Sequence, residues 1–144
     1  MYEKILYPTD FSDEATKALE FIKELKGAGA KEVIILHVID RRGLNDLARF
    51  AKKDIPHIIG DMETRTRSEL SPVVNELEES GLKVKIRIEK GGPCDEILRV
   101  ADEENASIII AGSHGKSNID NMLLGSVSYK LVKRANLPIL VVKK

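Results

Sequence analysis

The chain has 144 residues with 23 basic and 23 acidic side chains, and therefore no net charge. This length suits one domain over residues 1–144 with a core of its own, and the charge balance argues against a general attraction to nucleic acid or membrane surfaces. A single cysteine rules out an internal disulfide and suits a reducing cytoplasm, and three tyrosines, three phenylalanines and no tryptophan give no stacking surface for single-stranded nucleic acid.

The chain opens with a short apolar strand and a helix. The strand covers 4–7 and is closed by Pro8. Ser12 suits the N-cap of the following helix, which Gly27 and Gly29 end. Because Met1 leads directly into the first strand, we expect no leader sequence, and no apolar run is long enough to cross a bilayer.

The next quarter contains a second strand and a long helix. Residues 33–39 are apolar and predict a strand. Residues 41–58 predict an irregular stretch with short helical pieces and a break at Pro56. A helix follows over about 59–80, in which Pro72 predicts a kink or a new start.

The second half continues the alternation. Residues 82–88 alternate strictly between apolar and charged, which predicts a strand near a sheet edge with a solvated basic face. A helix follows the Gly-Gly-Pro at 91–93, then a buried strand at 107–111, a helix at 126–135 and a last strand at 138–142.

Five strands alternating with four helical regions predict an α/β fold. It is a single open three-layer sandwich with a five-stranded parallel sheet in the order 3-2-1-4-5. In that order the first and fourth strands are neighbours whose connections leave in opposite directions, and ligands bind such sheets there, outside the carboxyl ends. Asp10 follows the first strand and Gly112 follows the fourth, so we expect both residues at one ligand site.

The segment between the fourth strand and the last helix carries the pattern Gly112-x2-Gly115-x9-Gly125-Ser126. Glycines let backbone approach a ligand, and amides at a helix N-terminus face an anion. Ser126 can cap the helix and also reach a phosphate oxygen. The Gly-Lys-Ser at 115–117 is not a P-loop, because only two residues separate the first two glycines.

These motifs resemble the universal stress protein family, and the glycine pattern marks its ATP-binding branch. The resemblance covers nearly the whole chain, including residues 5–12, 36–40 and 138–142. It implies an adenine-nucleotide α-hydrolase-like fold, with Asp10 and Val38 against adenine and ribose and the glycine loop on the phosphates. The nucleotide-binding residues it implies are Pro8, Thr9, Asp10, Val38, Gly112, Ser113, His114, Gly115, Lys116, Ser117, Asn118, Gly125, Ser126, Val127 and Ser128.

The remaining chemistry-bearing residues give weaker signals. His114 is open between donating to a phosphate and being an ordinary loop residue. His37 is interpreted as a hydrogen-bonded core residue and Cys94 as a small buried filler. Three histidines and one cysteine lack metal-ligand spacing, so the sequence predicts no protein metal site and no catalytic residue.

The resemblance implies a regulatory protein of the stress response that binds ATP with Mg²⁺ or Mn²⁺ on the phosphates and hydrolyses it slowly or not at all. The alternative is an ATP hydrolase or phosphotransferase using the same pocket. A flavin module lacks the expected aromatics, and a phosphoacceptor receiver domain needs an aspartate where the third strand ends in 88–90, Ile-Glu-Lys. The apolar last strand, 138–142, predicts a homodimer, which the resemblance also implies.

Overall fold

The structure is a computed structural model that describes residues 2–10, 13–40, 44–113 and 125–143, with the backbone alone at 13–16. Strands and helices alternate along the chain. The strands are β1 (Lys4–Pro8), β2 (Glu32–Ile39), β3 (Lys83–Lys90), β4 (Ile108–Gly112) and β5 (Ile139–Val142). The helices are α1 (Asp13–Leu25), α2 (Leu44–Ala51), α3 (Ile55–Glu79), α4 (Pro93–Glu103) and α5 (Ser126–Arg134), with a 3₁₀ turn at Lys26–Ala28 after α1.

All strand pairs are parallel and their order is β3-β2-β1-β4-β5, which confirms the predicted α/β sandwich. Alternate strand residues face opposite sides of the sheet. Ile5 packs in the core under α1 and α3, whereas its neighbour Leu6 packs in the core under α4 and α5. The connections therefore change face after β3, and the change sets β1 beside β4.

Pro56 differs from the sequence prediction, and at Pro72 one of the two predicted outcomes, a new helix start, is excluded. Pro56 does not break a helix but lies in the first turn of α3, where a missing N–H costs no hydrogen bond. Asp54 caps that turn by accepting from the His57 N–H at 2.8 Å. At Pro72 no new helix begins, because α3 runs on through it. Buried Leu70 and Leu77 on either side anchor both halves to the core, so packing outweighs the lost backbone bond.

The charged face of β3 lies at a sheet edge, as predicted. Two of its basic side chains, Lys85 and Arg87, are paired with carboxylates at the C-terminal end of α4. Glu104 accepts from Lys85 at 2.7 Å and from Arg87 at 3.3 Å, and Arg87 also pairs with Glu103. The hydrogen bond from Lys85 lowers the pKa of Glu104, and the charges of both cations act in the same direction.

Candidate functional site

The end of β1 continues in register with β2 beyond the last paired residues. Pro8 is level with Leu36, and the next residue, Thr9, still donates its N–H to the Leu36 carbonyl at 2.9 Å. Asp10 follows Thr9 directly, and Val38 is the last residue but one of β2. The two residues that the family resemblance assigns to the nucleoside therefore lie near the carboxyl ends of neighbouring strands.

On its other side β1 pairs with β4. Ile5 is level with Ile108 and Leu6 with Ile109, and β4 ends at Gly112 with Ser113 directly after it. Because all strand pairs are parallel, the predicted residues at the ends of β1, β2 and β4 lie at the same carboxyl edge of the sheet. This edge is the point where the chain connections change direction, which is where open α/β sheets bind ligands.

Thr9 is held by hydrogen bonds at each of its polar groups. Its N–H is bound to Leu36, and its carbonyl accepts from His37 Nδ1 at 2.9 Å. Its hydroxyl is hydrogen-bonded to that of Tyr7. These three hydrogen bonds to β1 and β2 fix the backbone of Thr9, so the position of the next residue, Asp10, is restricted.

Tyr7 lies beneath this edge in the core, with 2% of its surface exposed. Burial raises the pKa of Tyr7 to about 12; the Thr9 hydroxyl opposes the rise and the Asp10 carboxylate adds to it. The phenol is therefore neutral at physiological pH and serves as a hydrogen-bonding support for Thr9.

The end of β4 is joined to the start of α5 through Ser113, which is 1% exposed. Its N–H donates to Val142 on β5 at 2.8 Å, and its carbonyl accepts from the Gly125 N–H at 2.6 Å. These two bonds set the N-terminus of α5 beside the edge where β1 and β4 meet. Helix N-termini attract anions because their first amides have no partner within the helix.

The cap of α5 differs from the prediction. Gly125 is the N-cap, with extended φ and ψ of −67° and 165°, and no side chain caps the helix. Ser126 is the first helical residue and is exposed, because the helix begins one position later than a serine cap requires. Its hydroxyl is thus not used as the helix cap.

Ser128 lies inward on the same turn and is 6% exposed. Its hydroxyl donates to the Gly112 carbonyl at 2.5 Å, which joins α5 directly to β4. A hydroxyl has one proton to donate, so this bond commits it to the backbone. Val127, between the two serines, is half-buried against the core under α4 and α5.

The structure therefore gathers the described members of the predicted site at one edge, from β1, β2, β4 and α5. Five predicted phosphate contacts lie outside the described residues and stay predictions: His114, Gly115, Lys116, Ser117 and Asn118. Cys94, in the first turn of α4, is buried as expected and packs in the core between α4, α5 and the sheet. Arg134 Nη1 lies 3.7 Å from its sulfur.

The partner of His37 and the role of Tyr7 were not predicted from the sequence. His37 is hydrogen-bonded, as expected, and its partner is Thr9, but the ring is half-buried rather than in the core. The strand register was the available signal, since parallel pairing of 4–8 with 32–36 sets Thr9 level with His37. Tyr7 carried no separate signal, because an aromatic residue in a buried strand is common.

The described residues contain neither a group of metal ligands nor a membrane-spanning helix. No three His, Cys, Asp or Glu side chains among them are grouped so that they could hold a metal ion. Within the same ranges, none of the helices is long and apolar enough to cross a membrane.

Comparisons with known proteins agree with this fold. The universal stress protein MJ0577 of Methanocaldococcus jannaschii is 40% identical, covering 100% of this chain and 96% of that protein. Its solved structure superposes with a TM-score of 0.89 at 43% identity, covering 100% and 97% of the two chains. The universal stress protein YxiE of Bacillus subtilis is 30% identical over 99% of this chain and 100% of its own.

A solved universal stress protein from Archaeoglobus fulgidus, in complex with dAMP, is 25% identical with a TM-score of 0.66, covering 99% and 98% of the chains. The sequence profile described as the universal stress protein family matches residues 1–143. Fold, strand order and full-length similarity lead to the same conclusion: the chain belongs to the universal stress protein family.

Proposed function

We propose that this protein binds ATP at the carboxyl edge between β1 and β4 and acts as a nucleotide-dependent regulator in the cytoplasm. The observation that carries the proposal is that the ends of β1, β2 and β4, where Asp10, Val38 and Ser113 lie, meet at one edge of the sheet beside the N-terminus of α5. At one end of this arrangement the backbone at Thr9 is held by hydrogen bonds to β1 and β2, and at the other end the first amides of α5 are present. A nucleoside and its phosphates need these two kinds of surface.

The site divides into a nucleoside end and a phosphate end. At the nucleoside end, Asp10 and Val38 are the residues proposed to contact adenine and ribose. At the phosphate end, Ser126 and the first amides of α5 are proposed to bind oxygens, together with the glycine-rich segment 112–118. A Mg²⁺ or Mn²⁺ ion held by the phosphates would neutralise part of their charge.

The relative in complex with dAMP supports an adenine nucleotide as the ligand class, because that protein has the same fold and belongs to the same family. Regulation follows if the nucleotide binds one conformation or one assembly better than another. A ligand shifts such an equilibrium only by its difference in affinity for the two states. The proposal therefore requires that ATP changes which partner, or how many copies, this chain binds.

We propose that turnover is slow in the isolated chain. Among the residues assigned to the site, Asp10 is the single acidic side chain, and its proposed role is with the nucleoside. The Gly-Lys-Ser at 115–117 does not have the spacing of a P-loop. Single-turnover hydrolysis with Mg²⁺ or Mn²⁺ tests this. A hydrolysis rate of about 1 s⁻¹, at the low end of ordinary enzyme turnover, would favour the hydrolase alternative if His114→Ala abolished it.

We propose that two copies pair through β5. This strand forms one edge of the sheet and consists of four apolar residues, Ile139–Val142, of which the first three are half-buried. The preceding helix, α5, exposes Tyr129 by 57% and Val132 by 52%. An apolar edge with further apolar surface beside it is the kind of surface that pairs with another strand.

Calorimetry of ATP binding tests the main proposal. Gly115→Val sets a branched side chain where a phosphate is expected to approach backbone, and we expect at least a tenfold loss of affinity, about 1.4 kcal/mol. Gly60→Val is the matched control, because a side chain there meets no atom within 4 Å. Unchanged affinity in a folded Gly115→Val variant would contradict the proposal.

A second measurement needs no variant. Mass spectrometry of small molecules that co-purify with the protein, before any nucleotide is added, should detect an adenine nucleotide. A wild-type protein that neither retains an adenine nucleotide nor binds added ATP would overturn the proposed function.

A further inference from the structure

The carbonyl of Thr9 accepts its hydrogen bond from a side chain of the neighbouring strand. The donor is Nδ1 of His37 on β2, at 2.9 Å. We infer that His37 is a positioning residue for the nucleoside end of the site, because this bond sets the direction of the peptide between Thr9 and Asp10. The inference rests on the proposed function, and it assigns to His37 the orientation of the backbone at the nucleoside end of the site.

The peptide unit between Thr9 and Asp10 has a fixed geometry. The Thr9 carbonyl and the Asp10 N–H belong to the same planar trans peptide, so they point in opposite directions. Since the carbonyl is directed towards β2, the Asp10 N–H is directed away from β2 and towards β4. On that side β4 is the neighbouring strand, and the glycine-rich segment begins at its last residue, Gly112. His37 thereby aims a backbone donor into the crevice between β1 and β4.

This peptide cannot turn without loss of other bonds. Rotation would break the bond to His37 and disturb the bonds from the Thr9 N–H to Leu36 and between the hydroxyls of Thr9 and Tyr7. Each of these hydrogen bonds is partly or fully buried, and a buried polar group that loses its partner is costly. Of the three, the bond from His37 acts directly on the peptide that leads into Asp10, so its loss should free that peptide most.

The bond also specifies one form of the ring. A carbonyl only accepts, so Nδ1 of His37 must carry the hydrogen. Asparagine can present an amide N–H near the position of Nδ1, whereas leucine has a similar bulk and no donor. The pair His37→Asn and His37→Leu therefore separates the hydrogen bond from the space that the ring fills.

The experiment compares three ligands by calorimetry: ATP, adenosine and inorganic tripolyphosphate. We expect His37→Leu to bind ATP and adenosine about tenfold more weakly, or about 1.4 kcal/mol, with tripolyphosphate affinity unchanged. We expect His37→Asn to remain within about threefold of wild type for all three. A residue with a merely structural role would change the three ligands together and would not be rescued by asparagine.

Several results would overturn the inference. Wild-type affinity for adenosine in folded His37→Leu would do so while leaving ATP binding intact, and so would an equal loss for tripolyphosphate. In the wild-type protein, ¹⁵N NMR of the imidazole should show the hydrogen on Nδ1, and a ring protonated only at Nε2 would contradict the bond. This measurement requires neither ATP nor a variant that folds, so it separates failure of the inference from failure of the proposed function.

Discussion

The hydroxyl of Ser128 donates a hydrogen bond to the carbonyl of Gly112, and this bond joins the first turn of α5 to the last residue of β4. Ser128 is buried, whereas Ser126 on the same turn is exposed. Two serines that look equivalent in the sequence thus have different surroundings. One holds the helix in place, and the other is proposed to contact the phosphates.

Alanine at these two positions should separate stability from binding. Ser128→Ala leaves the Gly112 carbonyl without its donor, so we expect the free energy of unfolding to fall by about 1–2 kcal/mol. Ser126→Ala removes an exposed hydroxyl and should change stability by less than about 0.5 kcal/mol while weakening ATP binding. Chemical denaturation and calorimetry measure the two quantities. The reverse pattern would contradict this assignment.

Asp10→Ala should weaken nucleoside binding selectively. Asp10 lies just past the end of β1, at the proposed nucleoside end, so ATP and adenosine should lose affinity while tripolyphosphate keeps most of it. Asp102→Ala, which removes an exposed carboxylate near the end of α4, is the control and should bind all ligands normally. Equal losses for ATP and tripolyphosphate on titration would assign Asp10 another role.

The strand order that positions the candidate site was predictable from the sequence. Alternating strands and helices with right-handed crossovers predict that β1 and β4 are neighbours. Asp10 lies two residues past the end of β1, and Gly112 is the last residue of β4. The charged alternation of 82–88 likewise identified an edge strand. These inferences need only the period of the pattern and the ends of the strands.

The contacts that shape the site were not predictable in the same way. The bond from His37 to Thr9 depends on a rotamer across two strands, and the bond from Ser128 to Gly112 depends on how α5 is rotated about its axis. Neither quantity is contained in hydrophobic periodicity. The unbroken course of α3 through Pro72 depends on burial at positions before and after it, so tertiary packing decided it.

Val141→Lys should convert a dimer to a monomer. It introduces a charge into the apolar edge of β5, where we propose that two copies pair. Phe50→Lys changes a side chain that is 91% exposed on α2 and should leave the assembly unchanged. Light scattering at several concentrations gives the mass of each. A wild-type protein that is monomeric at high micromolar concentration would contradict the proposed dimer.

Tyr7→Phe should reduce the loss of stability in alkaline solution. The ordinary pKa of 10.0 applies to the unfolded chain, while burial raises the pKa of Tyr7 to about 12 in the fold. Between these values the unfolded chain has lost the proton and the folded chain keeps it, so stability falls as pH rises. The fall amounts to about 3 kcal/mol for a two-unit difference. Denaturation at pH 9 to 12 should show a smaller decrease in Tyr7→Phe, and identical slopes would contradict the raised pKa.

The two edges of the sheet are chemically opposite, and this limits what edge pairing can build. β3 carries five charged residues in eight, several of them tied to α4, whereas all four residues of β5 are apolar. A chain with two open edges could add copies at both ends and grow into a filament. Here the β5 edge is apolar and the β3 edge is charged. The proposed pairing of β5 with β5 would therefore bury the apolar edge of each copy. Under the proposed pairing, strand addition would stop at two copies, and this would protect the protein from sheet-like aggregation.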